Sequence, residues 1–143
     1  MSDAEHFDVV LVGAGISGLG LAHHLKEQCP NKSFVLLEAK EAHGGTWKTH
    51  TYPGIRSDSD LYTFGYRFKP WTGAPIAEGQ LILDYMQEVI EEDQLEPHIR
   101  YKHEIKAAHW SDEAGVWTLE IHQTETNQTS SLTCNFFIWS GGY

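Results

Sequence analysis

Asp8-Val9-Val10-Leu11-Val12-Gly13-Ala14-Gly15-Ile16-Ser17-Gly18 decides how this chain is read. Its first five residues make the short, largely apolar run that a strand buried on both faces requires, and a G-x-G-x-x-G pattern follows without a linker. Downstream, Ile16, Leu19, Ala22 and Leu25 recur on one helical face until Pro30, and Ser33 to Glu38 supplies a second β-rich run. Strand, glycine turn, helix and strand form a βαβ unit over residues 7–38, which predicts an α/β fold built on a Rossmann-like parallel sheet.

Each part of the unit has a chemical reason. Gly13 lets the chain turn sharply out of the strand, Gly15 lets backbone come within contact of a pyrophosphate, and Gly18 lets the helix pack closely on the sheet. The helix N-terminus then offers unpaired N–H groups and partial positive charge to an anion, with no basic side chain needed; Ser17 lies in that first turn. Glu38 stands twenty positions after Gly18, where a carboxylate accepts hydrogen bonds from an adenosine ribose and repels a 2′-phosphate. The site therefore suits FAD or NAD(H) and disfavours NADP(H).

Composition bounds the rest. A chain of 143 residues with 41% apolar residues fits one folded domain. Ten Lys and Arg against twenty Asp and Glu give a formal charge of −10, which opposes nucleic acid and anionic membrane surfaces as partners. The N-terminus has no leader-like pattern and no run approaches the ~20 apolar residues of a membrane span, so a cytoplasmic location is expected. Cys29 and Cys134 lack C-x-x-C spacing, and the nine histidines show no His-x3-His pair, so neither a disulfide nor a metal site is expected.

Beyond Glu38, Gly44-Gly45-Thr46-Trp47 combines a glycine pair, a hydroxyl and a large flat ring, a set that suits an extended flavin cofactor. Tyr52-Pro53-Gly54-Ile55-Arg56-Ser57-Asp58 is a turn that, taken alone, is a solvated loop. Residues 65–71 read as a surface loop packed by aromatics. Leu81, Tyr85 and Val89, with Ile82, Met86 and Ile90, mark an amphipathic helix over 79–93. A short strand at Ile99 and Tyr101, then β-rich pieces near 105–110, 116–122 and 130–134, predict an antiparallel β-meander over 104–134. Phe136 to Trp139 would return to the parallel sheet as a separate strand over 135–140.

The motifs G-A-G-I-S-G, E-x5-G-G-T-W and Y-P-G-I-R-S-D-S-D-L-Y-T-F-G-Y-R-F-K-P-W, in this order, resemble the N-terminal part of the flavin-dependent Baeyer–Villiger monooxygenases, in particular the ethionamide-activating type. The resemblance runs from about Phe7 to the end and is most specific from Tyr52 to Trp71. It implies a partial FAD-binding domain of the glutathione-reductase type over 1–143, with cofactor loops at 39–78. It also implies NADPH bound by a second domain, and oxygen activated on the flavin to convert ketones to esters or lactones or to oxygenate sulfur or nitrogen. The implied partners are thus small molecules, a ketone or a thioether- or thioamide-like compound.

Carried over residue by residue, the resemblance puts Gly13, Gly15, Ser17 and Gly18 around the FAD pyrophosphate and Glu38 at the adenosine ribose. Gly45, Thr46 and Trp47 would lie along the middle and flavin end, and the backbone at Ile105 would border the adenine. Arg56, Ser57 and Asp58 would line the meeting place of flavin and nicotinamide, Asp58 and Arg56 forming a charged pair next to the chemistry. No second G-x-G-x-x-G occurs. The chain is therefore expected to be an N-terminal piece without turnover of its own, and an isolated nucleotide-binding module or an NAD(H)-binding oxidoreductase fragment is the alternative.

Overall fold

The computed structural model describes residues 4–142. Strand β1 (Glu5–Val12) runs into the glycine turn, helix α1 (Ile16–Gln28) follows, and β2 (Phe34–Leu37) lies parallel to β1 with Val9 opposite Phe34 and Val12 opposite Leu37. The uninterrupted apolar run of β1 is explained by two packed faces. Val9 and Leu11, with Phe34 and Leu36, face α1 and the later helix α4 (Gly79–Glu92), whereas Val10 and Val12, with Val35 and Leu37, join Leu119, Ile121, Leu132 and Cys134 on the other side. Fully burying each such side chain is worth about 1.5–3 kcal/mol, so both faces contribute to holding the turn between them.

Two single-turn helices, α2 (Thr46–Thr49) and α3 (Leu61–Phe64), punctuate the segment between β2 and α4. The aromatic loop after α3 packs on both long helices. Phe68 stacks on His23 of α1 and on Tyr66, and Lys69 pairs with Glu88 and Glu92 of α4 at 3.0 and 2.8 Å. Within α4 the buried residues are Gly79, Ile82, Tyr85, Met86, Val89 and Ile90; Leu81, expected on the apolar face, is exposed. The helix ends at Glu92, one residue before the expected end.

A 3-10 turn (Glu96–His98) leads to the short strand β3 (Ile99–Arg100), and then β4 (His103–Ser111), β5 (Val116–Gln123) and β6 (Gln128–Trp139) follow. The six strands form one mixed sheet in the order β3-β2-β1-β6-β5-β4, parallel among β3, β2, β1 and β6 and antiparallel from β6 to β4. The α/β architecture with its antiparallel meander is as the sequence predicts.

One expectation is corrected. The third meander strand and the separate return strand are a single strand, β6. Its Leu132 and Cys134 pair on one side with Leu119 and Trp117 of β5, and on the other with Glu5 and Phe7 of β1. The strand thus changes from antiparallel to parallel pairing without a break, because Asn135 remains extended and exposed at the changeover. The meander curls back, so that His103 N–H donates to the Glu38 carbonyl (2.9 Å) and β4 meets the end of β2. Among the described residues no helix is long and apolar enough to cross a membrane.

Candidate functional site

At the C-terminal ends of β1, β2 and β6 the chain meets itself at backbone distance. Gly13 has φ +100°, and a Cβ there would lie 2.3 Å from the Ser140 carbonyl oxygen at the end of β6. Ser140 N–H in turn donates to the Val12 carbonyl (2.8 Å) and Gly13 N–H to the Leu37 carbonyl (2.9 Å), so the turn is fastened to strands on both sides. A Cβ on Gly18 would lie 1.8 Å from the Gly13 carbonyl oxygen, which only glycine permits.

Gly15 differs from these two. Its φ of −84° is open to any residue, and the nearest atom to a Cβ would be Gly45 Cα at 3.6 Å. Among the described residues no fold contact demands glycine at this position. Gly15 caps α1, whose first bond runs from Leu19 N–H to the Gly15 carbonyl (3.1 Å), so the amides of Ile16, Ser17 and Gly18 precede the helical ladder, the arrangement that lets a helix N-terminus take an anion. The second loop closes the cradle from the side: Gly44 N–H donates to the Ala14 carbonyl (2.9 Å), and Gly45 adopts φ +54° beside Gly15.

Glu38 is buried, with only 8% of its surface exposed. Oε1 accepts from Ala14 N–H (2.9 Å) inside the glycine turn and Oε2 from Lys40 N–H (2.9 Å). The carboxylate therefore shapes the cradle itself and keeps its remaining lone pairs for a further donor. Tyr101 lies near it; burial, with the charges of Glu96 and Glu38, pushes its phenol up to about 12.

The other expected residues separate into two groups. Thr46 is exposed at the start of α2, Ser17 is exposed in the first turn of α1, and Ile105 on β4 lies two residues beyond the His103 contact to Glu38. These fit a ligand running from Glu38 past Gly15. Trp47, by contrast, is half-buried and packs against the α1/α4 core, and Ile105's side chain packs under the meander.

The Arg56–Asp58 loop departs from the expected charged pair. Arg56 and Asp58 are both exposed and make no ion pair with each other; Arg56 Nε donates to the Gly54 carbonyl (3.1 Å). The buried member is Ser57, whose N–H donates to the Ala77 carbonyl (2.8 Å) and whose Oγ accepts from Ala77 N–H (3.1 Å). The physical reason is alternation. The backbone is extended at Arg56, which bridges Glu78, so neighbouring side chains point to opposite sides.

Two contributors escape sequence reasoning. The Tyr66 hydroxyl donates to the Ile16 carbonyl, and burial next to Tyr85 holds that phenol well above its ordinary range. Gly20 makes room for the Tyr66 ring, since a Cβ there would come within 2.9 Å of it. A glycine in a helix interior costs about 0.5–1 kcal/mol relative to alanine, and that cost was the available signal.

Comparison with known proteins agrees with this geometry. Residues 11–73 match the family described as NAD(P)-binding Rossmann-like domain. The FAD-containing monooxygenase EthA of Mycobacterium tuberculosis is 49% identical over 140 residues, which cover 97% of this chain and 28% of that protein. The chain thus spans little more than a quarter of the curated relatives it matches. Among solved structures, an oxidised steroid monooxygenase bound to NADP superposes with a TM-score of 0.85 at 28% identity, over 96% of this chain and 26% of that one. OTEMO in complex with FAD and NADP gives 0.84 at 26% identity, over 99% and 26%.

Proposed function

We propose that this chain, homologous over almost its whole length to FAD-containing monooxygenases, is the FAD-binding part of a flavin monooxygenase that uses NADPH and oxygen. The observation that carries the reading is Gly15: a glycine whose backbone and packing would accept a side chain, placed where free helix amides face open space. A diphosphate fits such a place, and among the described residues only Gly45 comes within 4 Å of a Cβ there.

In this reading the amides of residues 16–18 hold the pyrophosphate and Glu38 accepts from the ribose while bracing the turn through Ala14. The Thr46 hydroxyl and the Trp47 edge lie along the cofactor, and the backbone at Ile105 borders the adenine. Bound FAD supplies two-electron reduction by NADPH and activation of oxygen, with a ketone or a thioether- or thioamide-like compound as acceptor of one oxygen atom. Arg56 and Asp58, exposed and unpaired with each other, are the catalytic candidates of this reading, free to contact nicotinamide or flavin. Cys29 and Cys134 are free thiols, as a reducing compartment keeps them, and the proposal includes a cytoplasmic location.

Adding FAD to the purified apo chain and following flavin fluorescence tests the assignment, with NADH titrated in parallel. FAD binding with weaker or no NADH binding is expected. Binding of NADH with no response to FAD overturns the flavin reading.

A further inference from the structure

His23 on α1 has a buried ring nitrogen that the fold leaves without a hydrogen bond. Its Nδ1 lies 2.7 Å from Asp93 Oδ2, and since a carboxylate only accepts, Nδ1 is the donor of that bond. Nε2 is buried without a hydrogen-bond partner, yet it stands 3.1 Å from Glu27 Oε2, one helical turn on. A ring nitrogen and a carboxylate oxygen are held at that separation by a positive charge at or between them, a ring proton or a metal ion. A shared proton would need a near-linear N–H···O arrangement, and the contact does not have hydrogen-bond geometry. A metal ion bonds its ligands at an angle instead: with bonds of about 2.0–2.1 Å in a tetrahedral site, neighbouring ligand atoms stand about 3.3 Å apart.

A third ligand is adjacent. His24 places its ring edge-on to both His23 (5.1 Å between centroids) and Phe68 (5.7 Å), and ligand atoms of His23, His24 and Glu27 lie within 4.8 Å of one another. Phe68 stacks on His23 at 3.5 Å and 9°, which holds the ring in place. Asp93, seventy residues away in sequence, supplies the carboxylate behind the ligating histidine that metal sites commonly use to fix the tautomer. Sequence spacing gave no metal site because adjacent histidines on a helix diverge; the Phe68 and Asp93 contacts, both long-range, bring this set together.

We propose that His23 Nε2, His24 and Glu27 form a site for a divalent transition-metal ion of the zinc or nickel class, with Asp93 as the residue that orients His23. Its ligands begin about 10 Å along the α1 axis from Ile16, so the site is separate from the glycine cradle. Zinc titrated into the purified protein by calorimetry, with magnesium as control, tests it. One zinc per chain at low-micromolar affinity is expected, with magnesium far weaker, and visible absorption bands when cobalt replaces zinc. His24→Ala and Glu27→Gln alter exposed side chains and should each weaken zinc by roughly tenfold or more while circular dichroism and FAD titration stay unchanged; Asp93→Asn should weaken it less. Zinc no tighter than magnesium, or wild-type zinc affinity in both ligand variants, overturns the proposal.

Discussion

At the Gly13–Gly18 turn the chain touches itself through backbone atoms, whereas the Arg56–Asp58 loop turns its charged side chains to solvent and buries only a serine. Both regions are expected to meet a cofactor. The first is complete within the chain: its glycines, its strand ends and the Glu38 carboxylate fix one another before any ligand arrives. The second is held in place by Ser57 and Ala77, and its charged side chains make no ion pair with each other, Arg56 reaching only the Gly54 carbonyl of its own loop. A site made of backbone is encoded locally, while one made of side chains depends on whatever lies opposite.

The largest effect expected from breaking this contrast is at Gly18. A Cβ 1.8 Å from the Gly13 carbonyl oxygen meets backbone that cannot give way, so Gly18→Ala should cost about 3 kcal/mol or more, read as a fall in the urea midpoint or as failure to fold. Glu38→Gln comes next. Its amide group would set a donor against one of two N–H donors, at Ala14 or Lys40, and a buried unsatisfied pair costs about 1–3 kcal/mol. Both the unfolding midpoint and FAD affinity should fall, because the same carboxylate shapes the turn and, in the proposed function, accepts from the ribose; a loss of affinity with wild-type stability would show that the Ala14 contact is idle.

Ser57→Ala should destabilise by about 1–2 kcal/mol by leaving Ala77 N–H without its acceptor, whereas Arg56→Ala and Asp58→Ala should each stay within about 0.5 kcal/mol. Equal losses at all three positions would mean that the exposed pair is structural after all. The smallest effect concerns pH. Burial raises the Cys134 thiol to about 11 from an ordinary value of 9.0, so the native state keeps its proton where the unfolded chain has lost it. That stabilisation is intact below pH 9 and disappears as pH rises toward 11. The unfolding midpoint should decline more steeply over this interval in the wild type than in Cys134→Ala.

How much of this was legible in the sequence follows the same division. The βαβ unit announced itself because strand, glycine spacing, helix periodicity and Glu38 are local and each has one physical reading. The meander was visible as alternating runs, but the fusion of its last strand with the return strand was not. Only pairing on both edges of Leu132 and Cys134 reveals that, and pairing is a long-range fact. The charged pair expected of Arg56 and Asp58 failed because the sequence does not show that Ser57 between them is the buried anchor or that Arg56 Nε turns back to the Gly54 carbonyl. Glu38's grip on Ala14 was hidden because spacing can place a carboxylate at a strand end but cannot say which amide it accepts from.

Gly15 offers the most direct test of the account. Its backbone admits alanine and the nearest atom to the new Cβ would be 3.6 Å away, so Gly15→Ala should leave the unfolding midpoint within about 0.5 kcal/mol of wild type. The methyl group would nevertheless occupy the space where the proposed function puts the pyrophosphate. FAD titration of the two proteins side by side should show affinity at least about tenfold weaker in the variant, a difference of about 1.4 kcal/mol. Wild-type FAD affinity in a folded Gly15→Ala protein would contradict the claim that this cradle holds the cofactor.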